Sequence, residues 1–177
     1  VKIRAWDNTV QTIPPNLLVN EAFDNWQPMF ERGGRRIKRS IKVDITSIAF
    51  ADDALIEQLR THTATHDLME GVATESLEGI RFTNVDLYIK CVNRFIDKHP
   101  RVNHNMLSMV RQLQPTAQGL PLELYFFFDG TAWVDYEHLQ AEVFEFLLAT
   151  LPQFGLKAFQ SPTGNDLKGF AINEDTV

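Results

Sequence analysis

Alternating apolar and polar residues predict β-structure at the beginning of the chain. Residues 1–6 and 9–13 both alternate, and Asp7-Asn8 between them is typical of a tight turn. We therefore expect a hairpin that ends at Pro14-Pro15, because proline has no N–H to donate to a strand ladder. Residues 16–34 follow neither the strand period nor the helix period and are predicted to be irregular.

A long strand with one apolar and one polar face is predicted next. Every second position from Ile37 to Ile45 is apolar except Arg39, which interrupts the apolar face near its beginning. The positions between them carry Arg36, Lys38, Ser40, Lys42, Asp44 and Thr46. Because successive side chains of a strand point to opposite faces, this strand belongs to a sheet with one solvated face.

Helical periodicity appears in three later stretches. The first helix is expected to begin at Asp52-Asp53, whose carboxylates suit a helix N-cap. The second is expected to begin at Asn84 and to end at His99-Pro100, because the residue before a proline disfavours the helical conformation. The third is predicted from Trp133 to Phe154, with Gly155 ending it.

Shorter elements complete the pattern. Residues 106–113 and 120–128 are predicted to pair as a hairpin, residues 156–160 to form a last short strand, and residues 62–82 to form a loop. The order from residue 35 onward is strand, helix, strand, strand, helix, strand. This order predicts an α+β domain with the ferredoxin-like split βαβ arrangement, in which two helices cover one face of an antiparallel sheet.

Charge is unevenly distributed along the chain. The formal net charge is −6, but residues 1–42 have a balance of +4 and residues 43–177 a balance of −10. The acidic total argues against a general nucleic-acid binder, which needs a cationic face. A basic end on an acidic protein is typical of a segment that faces an anionic surface such as a membrane.

Length and cysteine content set further limits. A chain of 177 residues corresponds to one domain, or to one domain and part of a second. No apolar run approaches the about 20 residues of a membrane-spanning helix. Cys91 is the single cysteine, so an intrachain disulfide is excluded and a buried, inert thiol is favoured. Because the alternation typical of a strand begins at Val1 itself, we expect the strands that pair with it to lie upstream of this residue.

The strongest local signal for binding is a basic segment around a pair of glycines. It consists of Arg32, Gly33, Gly34, Arg35, Arg36, Lys38 and Arg39. Guanidinium groups beside a flexible Gly-Gly turn can bind phosphate groups through bidentate contacts and backbone N–H donors. The same residues also fit a solvated strand edge, on which the charges prevent wrong pairing. The pattern does not choose between these two interpretations.

No set of residues predicts catalysis. His62 and His66 are four residues apart and could share a metal ion, but the sequence suggests no third ligand. Two solvated histidines are the simpler interpretation. Asp52-Asp53 fits a helix cap better than a pair of catalytic carboxylates. We therefore expect a protein that is not an enzyme, with no catalytic residues, no metal and no cofactor.

Five short strings, in order along the chain, carry a resemblance to a known family. They are Trp6-Asp7-Asn8-Thr9 with Thr12-Ile13-Pro14, then Gly33 to Ser40, Met109 to Leu113, Gly119 to Glu123, and Gln160 to Asp166. Together they resemble the cytoplasmic region of the small-conductance mechanosensitive (MscS-type) ion channel family, and above all its miniconductance branch. The resemblance covers nearly the whole chain.

The resemblance implies a domain organisation. Residues 1–34 would be the C-terminal part of a membrane-proximal β domain, residues 35–160 an α/β ferredoxin-like cage wall, and residues 161–177 a tail. Residues 62–100 would contain an insert with a helix. The family forms homo-oligomers, namely heptamers, on the cytoplasmic side of the bacterial inner membrane. Its pore and tension-sensing helices are absent from this chain, and no nucleic-acid partner is expected.

The implied function is the release of ions and small solutes when membrane tension opens the channel under hypo-osmotic shock. The basic segment would then lie near the membrane or at a subunit seam. One alternative is a ferredoxin-like small-molecule-sensing regulatory domain, which predicts an apolar pocket with convergent polar groups. Another is a metal-dependent hydrolase built on His62 and His66, which predicts a third ligand beside them.

Overall fold

The computed structural model describes residues 1–5, 8–22, 25, 27–76 and 78–162. The chain divides into two compact units, Val1–Gly33 and Gly34–Val177. Helices occur together with small antiparallel sheets, which confirms the α+β class. In the described part of the chain, no helix is both long enough and apolar enough to cross a membrane.

Some predictions fall on residues outside the described ranges. They concern Trp6 and Asp7, which belong to the first predicted strand, its turn and the first of the five strings. They also concern the tail and the last of the five strings from residue 163 onward. The assignment of residues 1–34, 35–160 and 161–177 to a β domain, a cage wall and a tail stays a prediction.

The first unit contains the expected hairpin. β1 (Lys2–Arg4) pairs antiparallel with β2 (Val10–Thr12), and every residue of both strands is exposed. The prediction of irregular structure over residues 16–34 was wrong, because α1 (Pro15–Asn20) and α2 (Gln27–Arg32) lie there. Each of these helices has fewer than two turns, so neither produces a readable hydrophobic period. The fixed φ of proline suits the first position of α1.

The second unit is built on an antiparallel sheet. Within the described residues its strands are β3 (Gly34–Val43), β4 (Met109–Gln112) and β5 (Leu120–Asp129), with β5 in the centre. The predicted strand over residues 106–113 is therefore shorter than expected. Residues 156–160 form no full strand, since one antiparallel bridge joins Ala158 to Val43 at the free edge of β3.

β3 also ends earlier than the alternation predicted. The Asp44 carboxylate accepts a hydrogen bond of 2.9 Å from the Thr46 N–H and begins a 3-10 turn at Ile45–Ser47. Hydrogen bonds from Thr46 hold the pKa of the Asp44 carboxyl below its ordinary value. Ile45 is 46% exposed, so the prediction that it continues the apolar face was wrong.

The predicted helices lie close to their expected positions. α3 (Asp53–Thr61) is capped by Asp52, whose carboxylate accepts from the Leu55 N–H at 2.8 Å. Residues 62–82 are not wholly a loop, because α4 (His66–Met69) buries Leu68 and Met69 there. α5 (Asn84–Lys98) begins with a reciprocal capping box between Thr83 and Asp86.

The last helix is shorter than predicted. α6 (Trp133–Thr150) gives way to a 3-10 helix at Leu151–Phe154. Pro152 has no N–H for the α-helical hydrogen bond, so the regular helix ends before it. Gly155 then adopts a φ of +68°, which favours glycine, and ends the segment as expected.

The core lies between the helices and one face of the sheet. Its members include Ile37, Ile41 and Val43 of β3, Leu122, Leu124 and Phe126 of β5, Tyr88, Val92 and Ile96 of α5, and Leu139, Val143 and Leu147 of α6. The Tyr88 hydroxyl donates to the Leu147 carbonyl at 2.7 Å, and burial raises the pKa of this phenol. The opposite face of β3 is polar, as its alternation predicts.

Candidate functional site

The predicted basic segment does not form one continuous patch. Arg32 ends α2 and Gly33 has a φ of +65°, and both belong to the first unit. The remaining cations alternate along β3, so they lie on two different faces of the sheet. Arg35 and Arg39 share a face with the buried Ile37, whereas Arg36 and Lys38 lie on the other.

Arg35 and Arg39 contact aromatic rings of α6. The Arg35 guanidinium carbon lies 4.4 Å from the centre of the Tyr136 ring, and that of Arg39 lies 5.4 Å from the centre of the Phe144 ring. Burial raises the pKa of the Tyr136 phenol, and the Arg35 charge opposes this rise. Cation–π contacts at exposed sites contribute about 0.5–1 kcal/mol each. These two arginines therefore have a structural role at the edge of the core.

The other cations form what we call the polar sheet face. It consists of Arg36, Lys38 and Lys42 of β3, Arg111 of β4, and Tyr125 and Phe127 of β5. The four cationic residues are exposed and the two aromatic residues are half-buried. The Tyr125 and Phe127 rings meet edge to face, with centres 5.7 Å apart at 77°. Lys38 lies opposite Tyr125 in the register.

Two carboxylates interrupt the polar sheet face, and both have partners. Glu123 is nearly buried, and its Oε1 accepts from Arg111 Nε at 2.8 Å and from a terminal guanidinium nitrogen at 2.6 Å. Asp129, at the end of β5, accepts from the Asn103 side-chain amide at 3.1 Å. Lys42 donates to the Gln118 side chain. Among the described residues, no carboxylate forms an ion pair with Arg36, Lys38 or Lys42.

The polar sheet face is suited to binding an anionic partner. Its exposed cations supply hydrogen-bond donors to carboxylate or phosphate oxygens, and its half-buried rings supply apolar contact area. The described part of this face brings together no nucleophile with a base. Recognition of an anionic partner is the chemistry this arrangement supports.

His62 and His66 do not share a helix face. His62 follows the end of α3, and its Nδ1 accepts from the Ala64 N–H at 3.2 Å. His66 opens α4, and its Nδ1 lies 2.8 Å from the Asp67 carboxylate, which lowers the pKa of Asp67. Across the described ranges there is no group of three or more His, Cys, Asp or Glu residues placed to hold a metal ion.

A cleft of about 240 Å³ opens beside His66. It is lined by Arg60, His66, Glu70 and Gly71. Small-molecule sites are lined mostly by apolar and aromatic side chains, with a few polar groups that fix the orientation. The charged lining of this cleft gives no support to the small-molecule-sensing alternative.

An ion-pair cluster between α5 and α6 could not be predicted from the sequence. The buried His99 lies with its Nε2 3.2 Å from Glu142 Oε1, and Arg101 pairs with the other oxygen of the same carboxylate. The hydrogen bond from His99 lowers the pKa of the Glu142 carboxyl, with smaller contributions from Arg101. Helical periodicity places Glu142 on α6, but no local signal connects it to a residue 43 positions away.

Cys91 lies in the hydrophobic core of the second unit. It is fully buried on α5, and burial raises the pKa of its thiol to about 12. A thiol of this kind stays protonated near neutral pH and is a poor nucleophile.

No protein-family model matches the chain. The resemblance to mechanosensitive channels therefore rests on the five short strings of the sequence.

Proposed function

We propose that this chain is the cytoplasmic domain of a mechanosensitive ion channel of the MscS type, miniconductance branch. The channel opens on membrane tension and releases ions and small solutes under hypo-osmotic shock. In this proposal the chain belongs to a homo-oligomer at the cytoplasmic side of the bacterial inner membrane. It contributes shape and electrostatics and carries out no reaction.

The exposed hairpin of the first unit is the observation that supports this proposal most. All residues of β1 and β2 are exposed, with Val1 at 55%, Ile3 at 40% and Val10 at 59%. An isolated two-stranded hairpin is marginally stable in water, because it cannot bury enough apolar surface. A hairpin that closes a larger β domain in an assembly can bury these apolar side chains against the rest of that domain.

The second unit fits the proposed cage wall. We take its fold to be ferredoxin-like, with the 156–160 segment beside β3, then β5, then β4, as the bridge at Ala158 suggests. The insert over residues 62–100 corresponds to α4, α5 and the turns between them. The polar sheet face offers exposed cations to a subunit seam or to anionic headgroups, where each Lys or Arg contributes about 1 kcal/mol.

Survival after osmotic downshock tests this proposal. Bacteria that lack their own tension-gated channels are transformed with the gene for the natural full-length protein that contains this chain. We expect their survival after dilution into water to exceed that of cells with an unrelated membrane protein at the same level. A variant that lacks residues 34–162 is the control and should not protect. Equal survival of all three strains would contradict the proposal.

A further inference from the structure

The outer surface of α6 is strongly acidic. The helix contains Asp135, Glu137, Glu142 and Glu145, all exposed, and has no lysine or arginine. These four residues are spread over about 160° of the helix circumference outside the buried stripe, and together we call them the acidic helix face. Glu142 is engaged by His99 and Arg101. Glu137 accepts from Trp133 Nε1 at 2.9 Å and from Gln140 Nε2 at 3.0 Å, so its charge is held in place on the helix. Asp135 and Glu145 form no ion pair with any described residue. This surface therefore has negative charge to offer to a partner.

The acidic helix face and the polar sheet face lie on opposite sides of the second unit. α6 packs on the buried face of the sheet through Leu139, Val143 and Leu147, so its outer surface points away from the sheet. The polar sheet face points in the other direction, because it carries the alternate side chains of β3 and β5. One copy cannot bring these two surfaces together, but two copies can.

The charges on the two surfaces are opposite in sign and have similar axial separations. Lys38 and Lys42 are four residues apart on one face of β3, which corresponds to about 13 Å along a strand. Glu137 and Glu145 are eight residues apart on α6, which corresponds to about 12 Å along a helix. Eight residues also turn the helix by about 80°, so the two carboxylates are offset around its axis, and the long lysine side chains have to span this offset to reach both of them.

Apolar side chains accompany the charges on both surfaces. On α6, Val134 is 65% exposed and Leu148 is 50% exposed, at either end of the acidic helix face. On the sheet, Met109, Tyr125 and Phe127 are half-buried between the cations. Contact between the two surfaces would remove this apolar area from water, which adds a favourable term to the charge attraction.

We propose that the acidic helix face of one copy binds the polar sheet face of the next copy. The contact is heterologous, so repeated contacts generate a ring if the rotation between neighbours closes. This inference rests on the proposed function for the closed assembly, and it names the partner of the basic strand within it. A single-stranded nucleic acid is disfavoured as the occupant, since the chain as a whole carries a net charge of −6.

Charge reversal on the 177-residue chain tests this contact. The first variant is Lys38→Glu with Lys42→Glu, and the second is Glu137→Lys with Glu145→Lys. We expect the wild-type chain to self-associate in sedimentation equilibrium at low salt and to dissociate as added salt screens the charges. Each variant alone should bind itself at least about tenfold more weakly, because like charges then face each other.

Mixing the two variants supplies the decisive comparison. In the mixture, native and reversed contacts alternate along a chain of copies, so the strength of each contact should return to about that of the wild type. A closed ring of seven would keep one like-charged contact, so the comparison is made on the contact and not on ring closure. Both variants keep a negative net charge, so general attraction between them does not account for the recovery. Arg60→Glu with Lys98→Glu is the matched control. It changes the net charge as the first variant does, but at exposed positions on α3 and α5, and should associate like the wild-type chain.

Several outcomes would overturn the contact. They are a wild-type chain that stays monomeric at about millimolar concentration in low salt, association that both reversals leave unchanged, and failure of the mixture to recover. Tight, Lys38- and Lys42-dependent binding of a fluorescent single-stranded oligonucleotide by the monomer would show a nucleic-acid platform instead. Recovery in the mixture without any tension-gated current from the full-length protein would keep the contact and refute the channel function.

Discussion

The guanidinium group of Arg35 on β3 lies 4.4 Å from the ring centre of Tyr136 on α6. The Tyr136 hydroxyl in turn donates to the Arg36 carbonyl at 3.3 Å, so the helix is joined to this strand twice. An arginine that sequence analysis assigned to a binding segment therefore helps to hold α6 on the sheet. Within the segment, Arg36 and Lys38 on the opposite face of β3 remain available to a partner.

Substitution at Arg35 should affect stability, whereas substitution at Lys38 should not. We expect Arg35→Ala to lower the free energy of unfolding by about 1 kcal/mol, since it removes the contact with Tyr136 and the packing of the arginine stem. Lys38→Ala, on the polar sheet face, should change it by no more than about 0.5 kcal/mol. Urea denaturation of the two variants measures both values, and equal effects would contradict the division of the segment.

The Arg111–Glu123 pair should contribute more than an ordinary surface ion pair. The Glu123 side chain is 10% exposed and Arg111 is 49% exposed, so the carboxylate depends on the guanidinium for its hydrogen bonds. We expect Arg111→Met to lower the free energy of unfolding by about 1–3 kcal/mol, because a nearly buried charge loses its partner. Glu123→Gln added to Arg111→Met should recover part of this loss. Simple additivity of the two substitutions would show that the pair is not coupled.

Cys91 should be unreactive in the folded protein. The thiol is fully buried and burial raises its pKa to about 12, so neither access nor thiolate is provided at neutral pH. We expect a disulfide reagent such as DTNB to label the unfolded protein in urea rapidly and the native protein only through unfolding. Rapid labelling without denaturant would show that Cys91 lies outside the core and that its thiol is reactive.

Acid should weaken the contact between α5 and α6. Folding lowers the pKa of Glu142 from its ordinary value of 4.5, chiefly through the hydrogen bond from His99. The Glu142 carboxylate therefore binds a proton less readily in the native state than in the unfolded state. The stabilisation that this carboxylate gives to the native state is fully present above pH 4.5 and is lost as the pH falls through the lower native pKa.

Glu142→Gln isolates this effect. The difference in unfolding free energy between wild type and variant should be largest at neutral pH and should shrink as the pH falls below 4.5, the ordinary pKa of this carboxyl. Urea denaturation across this range provides the measurement. A difference that is constant with pH would show that the carboxylate charge is not what holds the two helices together.

Much of the second unit was predictable because its signals are local. The alternation of β3, the Asp52 cap and the helix start at Asn84 each depend on residues close together in the chain. The division of the basic segment follows from the same alternation, since Arg35 and Arg39 share parity with Ile37. Odd or even position alone is therefore enough to place Arg35 and Arg39 on one face of the strand and Arg36 on the other.

Other features depend on the register between distant strands and could not be predicted. Nothing local shows that Lys38 lies opposite Tyr125, or that Arg111 reaches Glu123. The strand expected over residues 156–160 is reduced to a bridge, because strand pairing depends on a neighbour as well as on the residue pattern. The two surfaces proposed to meet in the assembly depend in the same way on how α6 packs against the sheet.

Patch-clamp recording of the natural full-length protein in excised bacterial membrane tests the central claim most directly. The account predicts currents that are absent at rest, appear above a threshold of suction, and change their threshold or disappear when Lys38 and Lys42 are replaced by glutamate. Membrane patches that contain the protein and rupture under increasing suction without passing such a current would contradict it.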